Sequence, residues 1–183
     1  MPYQSIHCRT FIFEEIRGQI ICAGNLPIHL CFDPKRHEMA KQWLIKAHGV
    51  ACLANNTDRH YFVDLLAEFF KGSRRGFPPQ VNSPFVEKGT EFQRRVWKGI
   101  AEIPYGKTKT YGELAQALGS PGAARAVGQA CNANPLALIV PCHRVIGASG
   151  LGGFSGGCAM KQALLRLEQR NTEKDTAGFT NRP

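Results

Sequence analysis

The period of the apolar residues changes once along the chain, and that change limits the folds open to it. In the first third, apolar and polar residues alternate in short pieces, Thr10 to Glu15, Gln19 to Cys22 and Ile28 to Phe32, separated by Gly18 and by Gly24-Asn25. A period of two in runs this short predicts strands of a small antiparallel sheet joined by tight turns. Helical periods follow over Pro34 to Ala47, with Met39, Trp43 and Leu44 on one stripe, and over Arg59 to Lys71, with Phe62, Leu65, Leu66, Phe69 and Phe70 on another. From Gly72 to Pro84 the chain turns to Gly, Ser, Arg, Pro and Asn, which predicts a linker and a domain boundary.

The second half reads as helical. Thr90-Glu-Phe-Gln93 and Thr110-Tyr-Gly-Glu113 have capping-box spacing, the first opening a helix to about Ala101 that Pro104-Tyr-Gly106 stops. The second leads Leu114, Ala115 and Leu118 to Gly119, and Ser120-Pro121 then offers an N-cap with Pro in the first turn of a helix ending near Asn132. Two short helices joined by a Gly-containing turn form a helix-turn-helix pattern, which an ordinary helical hairpin would also satisfy. The expectation is an α+β chain: residues 1–84 a sheet-and-helix domain with its linker, 85–170 a helical domain, and 171–183 a frayed polar tail.

No run of the 183 residues approaches the roughly 18 apolar residues that span a bilayer, and the N-terminus lacks the pattern of a secretory signal, so the expected setting is the cytoplasm without a membrane partner. Lys and Arg exceed Asp and Glu by 23 to 14. The excess is larger after residue 84, where 13 basic residues face 7 acidic ones, against 10 and 7 before it, and this makes the second half the expected contact surface for a polyanion. Cysteines 8, 22, 31, 52, 131, 142 and 158 are odd in number and irregularly spaced, which argues against a secreted disulfide framework and for a reducing compartment.

One of those thiols sits in a reactive context. The apolar run Leu136 to Val140 reads as a buried strand, and it ends in Pro141-Cys142-His143-Arg144-Val145. An imidazole and a guanidinium beside a thiol are expected to favour the thiolate, the nucleophilic form. Neighbouring side chains diverge in an extended strand, so His143 would act on Cys142 through a water. A histidine base needs an acceptor on its other nitrogen, and Glu168, on a last helix from Ala159 to Gln169, is the best candidate; a solvated helix-end carboxylate is the alternative.

Phe92-Gln-Arg-Arg-Val-Trp97, Ile103-Pro-Tyr-Gly106, Thr110-Tyr-Gly-Glu-Leu-Ala115, Ala123-Ala-Arg-Ala-Val-Gly128, Asn134-Pro-Leu and Ile139-Val-Pro-Cys-His-Arg-Val145 occur in this order, and from Gly89 to about Glu168 the sequence strongly resembles the O6-alkylguanine-DNA alkyltransferases. The resemblance implies a ribonuclease H-like N-terminal domain and a winged-helix-like C-terminal one. It also implies direct repair, in which an alkyl group on guanine O6 passes irreversibly to a cysteine, once per protein and without a cofactor. Cys142 matches the acceptor, His143 the water-mediated base, Glu168 the orienting carboxylate and Asn134 a residue tying the recognition helix to the acceptor segment. Tyr111 matches a tyrosine that assists base flipping and donates toward N3, and Arg125 a finger filling the vacated stack. Ala124, Ala126 and Gly128 would let the helix approach the minor groove, with Arg144 a further DNA contact and Arg94, Lys107 and Lys109 phosphate contacts. Pro141, Val145, Phe154 and Ser155 match the alkylguanine pocket.

The implied partner is double-stranded DNA carrying O6-alkylguanine, met by a monomer; the alternative is a non-catalytic sensor of alkylated DNA, a type that usually lacks the acceptor Cys. Where the family usually has Tyr in Gly-Tyr-x-Gly-Gly, this chain has Phe154. Cys8, Cys22, His29 and Cys31 lack paired zinc-finger spacing, so no metal is expected.

Overall fold

The computed structural model describes residues 6–49, 52–54, 60–78 and 83–180. Strands β1 (Ile6–Phe13), β2 (Ile16–Ala23) and β3 (Leu26–Cys31) form an antiparallel meander, and β4 (Cys52–Ala54) adds a parallel edge beside β1, giving the order β3-β2-β1-β4. The three antiparallel strands are those the alternation predicts; three residues in β4 are too few to show a period.

Gly18 does not separate strands. The first turn is at Glu14-Glu15, with Glu14 in the left-handed region, and Gly18 lies inside β2 opposite Phe11. A Cβ there would stand 2.2 Å from the Phe11 ring, so the glycine makes room for that ring over the sheet.

Helix α1 (Pro34–His48) starts with Pro34 after Asp33, whose side chain accepts from the Lys35 N–H, and ends at Gly49 in the left-handed region. Its inward face is His37, Ala40 and Leu44; Met39, expected on the buried stripe, is 69% exposed. Helix α2 (Tyr61–Lys71) buries all five expected apolar residues and is capped by His60.

The second half is pinned to the sheet where it begins. Ser83 caps the short helix α3 (Pro84–Glu87) and its hydroxyl donates to Ile28 O at 2.6 Å, while completely buried. Helices α4 (Glu91–Ala101) and α5 (Tyr111–Ala117) both carry the full capping boxes their sequences announce. Helix α6 (Ala124–Asn132) starts after Ala123 without a side-chain cap, so Ser120-Pro121 belongs to the inter-helix turn rather than to the helix start. Trp97 Nε1 donates to Ala130 O at 2.8 Å, locking α4 against α6. The two-residue strands β5 (Lys109–Thr110) and β6 (Val145–Ile146) pair in parallel beside them.

Three further expectations change. Leu136 to Val140 is not a strand: Leu138 has φ 71°, and only isolated bridges form, including Leu30 with Leu136. Five consecutive apolar residues signal burial without specifying a backbone. Residues 171–180 are not a frayed tail, because helix α7 runs from Gly157 to Thr180 and Asn171 is buried, donating to Tyr105 Oη at 3.1 Å. Residues 181–183 lie outside the described ones. Cys8 is disulfide-bonded, which the irregular spacing did not disclose, whereas Cys22, Cys31, Cys131, Cys142 and Cys158 carry free thiols.

Across the expected boundary near residue 84 the two halves share apolar packing. One apolar cluster joins Phe11, Ile20 and Leu30 of the sheet and Phe62, Phe69 and Phe70 of α2 to Ala137, Leu138, Leu164 and Leu167 from the second half. Among the described residues no helix is long and apolar enough to cross a membrane.

His29 and His37 are buried against each other, their rings 6.3 Å apart. Burial pushes His29 down to about 3 and His37 to about 4, each helped by neighbouring positive charge. Below the ordinary histidine value of 6.5 the unfolded chain therefore takes up protons that the folded chain refuses, and stability falls with pH. Each buried histidine should cost on the order of 1 kcal/mol per pH unit between about pH 6.5 and 4. Urea unfolding at a series of pH values checks this, and His29→Leu should flatten the slope; a slope equal to the parent's would remove His29 as its source.

Candidate active site

Cys142–Arg144 form one turn of 3-10 helix directly after Pro141. The turn, rather than the end of a strand, sends the three consecutive side chains to two places. Cys142 lines a cavity of about 350 Å³, while His143 and Arg144 both reach Glu168 of α7.

Asn134 holds the turn from behind. Its Nδ2 donates to Val140 O at 2.8 Å and lies 3.1 Å from Cys142 Sγ, and its Oδ1 accepts from Leu136 N at 3.0 Å. One amide thus fixes both ends of the irregular segment and ties it to the C-terminus of α6.

Glu168 is completely buried, so the solvated alternative is excluded. Oε1 is 2.7 Å from His143 Nε2 and 2.9 Å from Arg144 Nη2; Arg144 Nε lies 3.1 and 3.0 Å from the two oxygens, and Oε2 accepts from Gly106 N at 2.8 Å. Burial alone would raise this carboxyl, but the hydrogen bonds and charges of His143 and Arg144 outweigh it and hold Glu168 below the usual carboxylate range. It is therefore an anion, and a carboxylate only accepts, so His143 Nε2 carries the hydrogen and donates.

Burial pushes the His143 imidazole down, against the pull of Glu168, and keeps it neutral. Its Nδ1 then carries the lone pair, and this buried atom has no hydrogen-bond partner among the described residues. Burial likewise pushes the Cys142 thiol up, only partly offset by the Asn134 hydrogen bond. The expected resting thiolate is thus not found: the neighbouring guanidinium is spent on Glu168, and the structure holds a neutral thiol beside a neutral base.

The cavity brings together much of the expected site. Tyr111, Arg125, Phe154 and Ser155 line it with Cys142, and Ala124 and Gly128 contribute the adjoining face of α6. Arg125 and Ala126 are exposed on that helix. Phe154 packs against Phe32 of the first half at 5.7 Å and lies 6.5 Å from the His143 ring. Tyr111 Oη donates to Gly153 O at 3.4 Å, and burial raises this phenol, keeping its hydrogen.

Other expected residues fall elsewhere. Pro141 and Val145 are buried but do not line the cavity. Arg144 is no DNA contact: it is buried on Glu168, with Nη1 donating to Ile103 O at 2.7 Å. Arg94 Nη1 donates to Glu87 O at 3.1 Å and also to Gly89 O, anchoring the turn before α4.

Two residues of the site escaped the sequence reading. Lys161, completely buried, donates from Nζ to Val145 O at 2.6 Å and to Gly153 O at 3.3 Å, fastening the loop that carries Phe154. Its signal was a cation in register with Leu164 and Glu168 on one face of α7. Arg36 of α1 donates to Asn132 O and, at 2.8 Å, to Asn132 Oδ1, and no local pattern announced that contact. Among the described residues no group of three or more His, Cys, Asp or Glu side chains is placed to hold a metal ion.

Comparison with known proteins places this geometry. Residues 91–170 match the family described as 6-O-methylguanine DNA methyltransferase, DNA binding domain. A methylated-DNA--protein-cysteine methyltransferase of Methanosarcina acetivorans is 51% identical over 165 residues, which cover 86% of this chain and 96% of the relative. One of Mycobacterium leprae is 41% identical over 167 residues, covering 90% and 93%. The crystal structure of Mycobacterium tuberculosis OGT in complex with DNA superposes with a TM-score of 0.72 at 38% identity, over 90% of this chain and 94% of that one. With an acceptor-type cysteine backed by a buried His-Glu pair, and with relatives matching nearly end to end, the chain belongs to the methylated-DNA--protein-cysteine methyltransferase family.

Proposed function

We propose that this protein repairs O6-alkylguanine in double-stranded DNA by moving the alkyl group to Cys142, acting once as a monomer in the cytoplasm. The observation that carries the reading is the Cys142 sulfur facing a cavity of base size, next to a His143–Glu168 pair that is wholly buried and bonded at 2.7 Å.

The proton has a defined route. The Cys142 thiol gives it up through a bridging water to His143 Nδ1, and the resulting imidazolium is stabilised by Glu168. Sulfur attacks the alkyl carbon, the S–C bond forms as the C–O6 bond breaks, and the electron pair returns to the base. Tyr111 donates toward N3 of the departing guanine. Phe154 supplies a wall and no hydroxyl, leaving the Ser155 N–H to meet O6. The product thioether has no leaving group that could regenerate the thiol, so turnover stops at one.

The reactive carbon is hidden in a duplex, so the nucleotide must be flipped at a cost of a few kcal/mol, and a poorly paired lesion lowers that cost. Exposed Arg125, at the cavity mouth, is placed to fill the gap, and the small residues Ala124, Ala126 and Gly128 let α6 lie close to the minor groove. The β5–β6 pair beside α5 and α6 supports a winged-helix-like reading of this half, and the β3-β2-β1-β4 sheet a ribonuclease H-like reading of the first.

Intact-protein mass spectrometry after incubation with a duplex carrying one O6-methylguanine should show one added methyl per protein, mapped to Cys142. Cys142→Ala should bind the duplex and gain nothing; tight lesion binding without methyl gain by the parent would make the protein a sensor. Arg125→Ala should slow single-turnover repair of the duplex about tenfold or more while sparing reaction with free O6-benzylguanine, since flipping is needed only in DNA. Equal losses in both assays would argue against the finger. Glu168→Gln should lower the transfer rate by on the order of 10²-fold with little change in affinity for undamaged duplex. It should also destabilise the fold by about 3 kcal/mol or more, because Arg144 is left buried without its partner; an unchanged rate would reduce Glu168 to a structural role.

A further inference from the structure

The network around Glu168 is closed by one turn outside the acceptor segment, residues 103–106. Ile103 O accepts from Arg144 Nη1 at 2.7 Å and Gly106 N–H donates to Glu168 Oε2 at 2.8 Å. Between them, the Tyr105 ring has Arg144 Cζ 5.5 Å from its centroid, within cation–π range. The ring is itself fixed on several sides: Asn171 Nδ2 donates to its hydroxyl at 3.1 Å, Phe69 meets it edge-on at 5.8 Å, and Arg75 Cζ lies 4.9 Å from its centroid.

The groups facing His143 are Glu168 and Lys161 from α7, Arg144 and Cys142 from its own turn, and the ring edge of Phe154. Among these Glu168 alone draws a proton onto the imidazole, and Arg144 and Lys161 oppose it. The basicity of His143 therefore depends on how firmly Arg144 sits on the shared carboxylate. Resting on the reading of His143 as the base, we propose that Tyr105 is a positioning residue for alkyl transfer: its ring holds the Arg144 guanidinium on Glu168, so that the carboxylate divides its charge and His143 stays neutral until the thiol proton arrives.

Without the ring, Arg144 keeps its bond to Ile103 O but loses one of the two surfaces that aim it. Glu168 then acts more strongly on His143, the imidazole is protonated at higher pH, and less free base remains in mildly acidic solution.

The test is the pH profile of single-turnover methyl transfer from a duplex with one O6-methylguanine, measured for the parent, Tyr105→Met and Tyr105→Phe. Tyr105→Met should move the acidic limb up by about half a pH unit or more, equivalent to a roughly threefold change in the protonation ratio, with the alkaline plateau preserved. Tyr105→Phe, which keeps the ring and loses only the hydroxyl with its bonds to Asn171 and Arg75, should retain the parent's limb. A uniform loss at all pH values, or a Tyr105→Met limb matching the parent's, would overturn the proposal. Titration of the His143 ring nitrogens by NMR should show the same upward shift without substrate. If Tyr105→Met does not fold, Arg144→Lys should raise the limb in the same direction, because an ammonium lacks the fork that spans both carboxylate oxygens; an unmoved limb would overturn the proposal equally. Absence of methyl transfer by the parent would instead refute the repair reading itself.

Discussion

A carboxylate removed from water is costly unless every lone pair is used, and Glu168 meets that condition by gathering an imidazole, a guanidinium and a backbone N–H onto two oxygens. The rest of the site follows from this solution. Helix α7 must present the residue inward, the Cys142–Arg144 turn must direct two side chains to it at once, and the 103–106 turn must close the remaining side. The tautomer of His143 follows as well, since the carboxylate takes the Nε2 hydrogen and leaves Nδ1 as the lone pair.

The first half of the chain backs the cavity wall from behind. Phe32 backs Phe154, Arg36 holds the end of α6 through Asn132, and Leu30 exchanges backbone hydrogen bonds with residues 135 and 137 on the way to the Cys142–Arg144 turn. These contacts join the sheet to the cavity wall through rigid elements, which is what a site needing sub-ångström placement requires.

What could be read from the sequence was what is encoded locally. Capping boxes at Thr90 and Thr110, the α2 stripe, and the motif carrying Cys142 and His143 all appear where the residues place them, because each rests on neighbours within a few positions. Glu168 was identified as a candidate, but its burial was not legible, since a charged residue near a helix end is ordinarily solvated. Arg144 was misread for the opposite reason: the resemblance offered it as a DNA contact, and only tertiary structure reveals a carboxylate 24 positions away. The left-handed Leu138, the three-residue β4 and the Arg36–Asn132 contact carry no periodic or motif signature at all.

The shared apolar cluster bears on what a shortened version of this chain would be. The stretch matching the family's DNA-binding domain, 91–170, contains Cys142, His143, Arg144 and Glu168. Cut out on its own, it would expose Ala137, Leu138, Leu164 and Leu167, whose partners belong to the sheet and α2, and would lose Phe32 from behind the cavity wall and Asn171 from the Tyr105 hydroxyl. Such a fragment would inherit Cys142, His143, Arg144 and Glu168 in the order of their motif, yet not the full apolar packing under which a buried glutamate and a neutral histidine coexist.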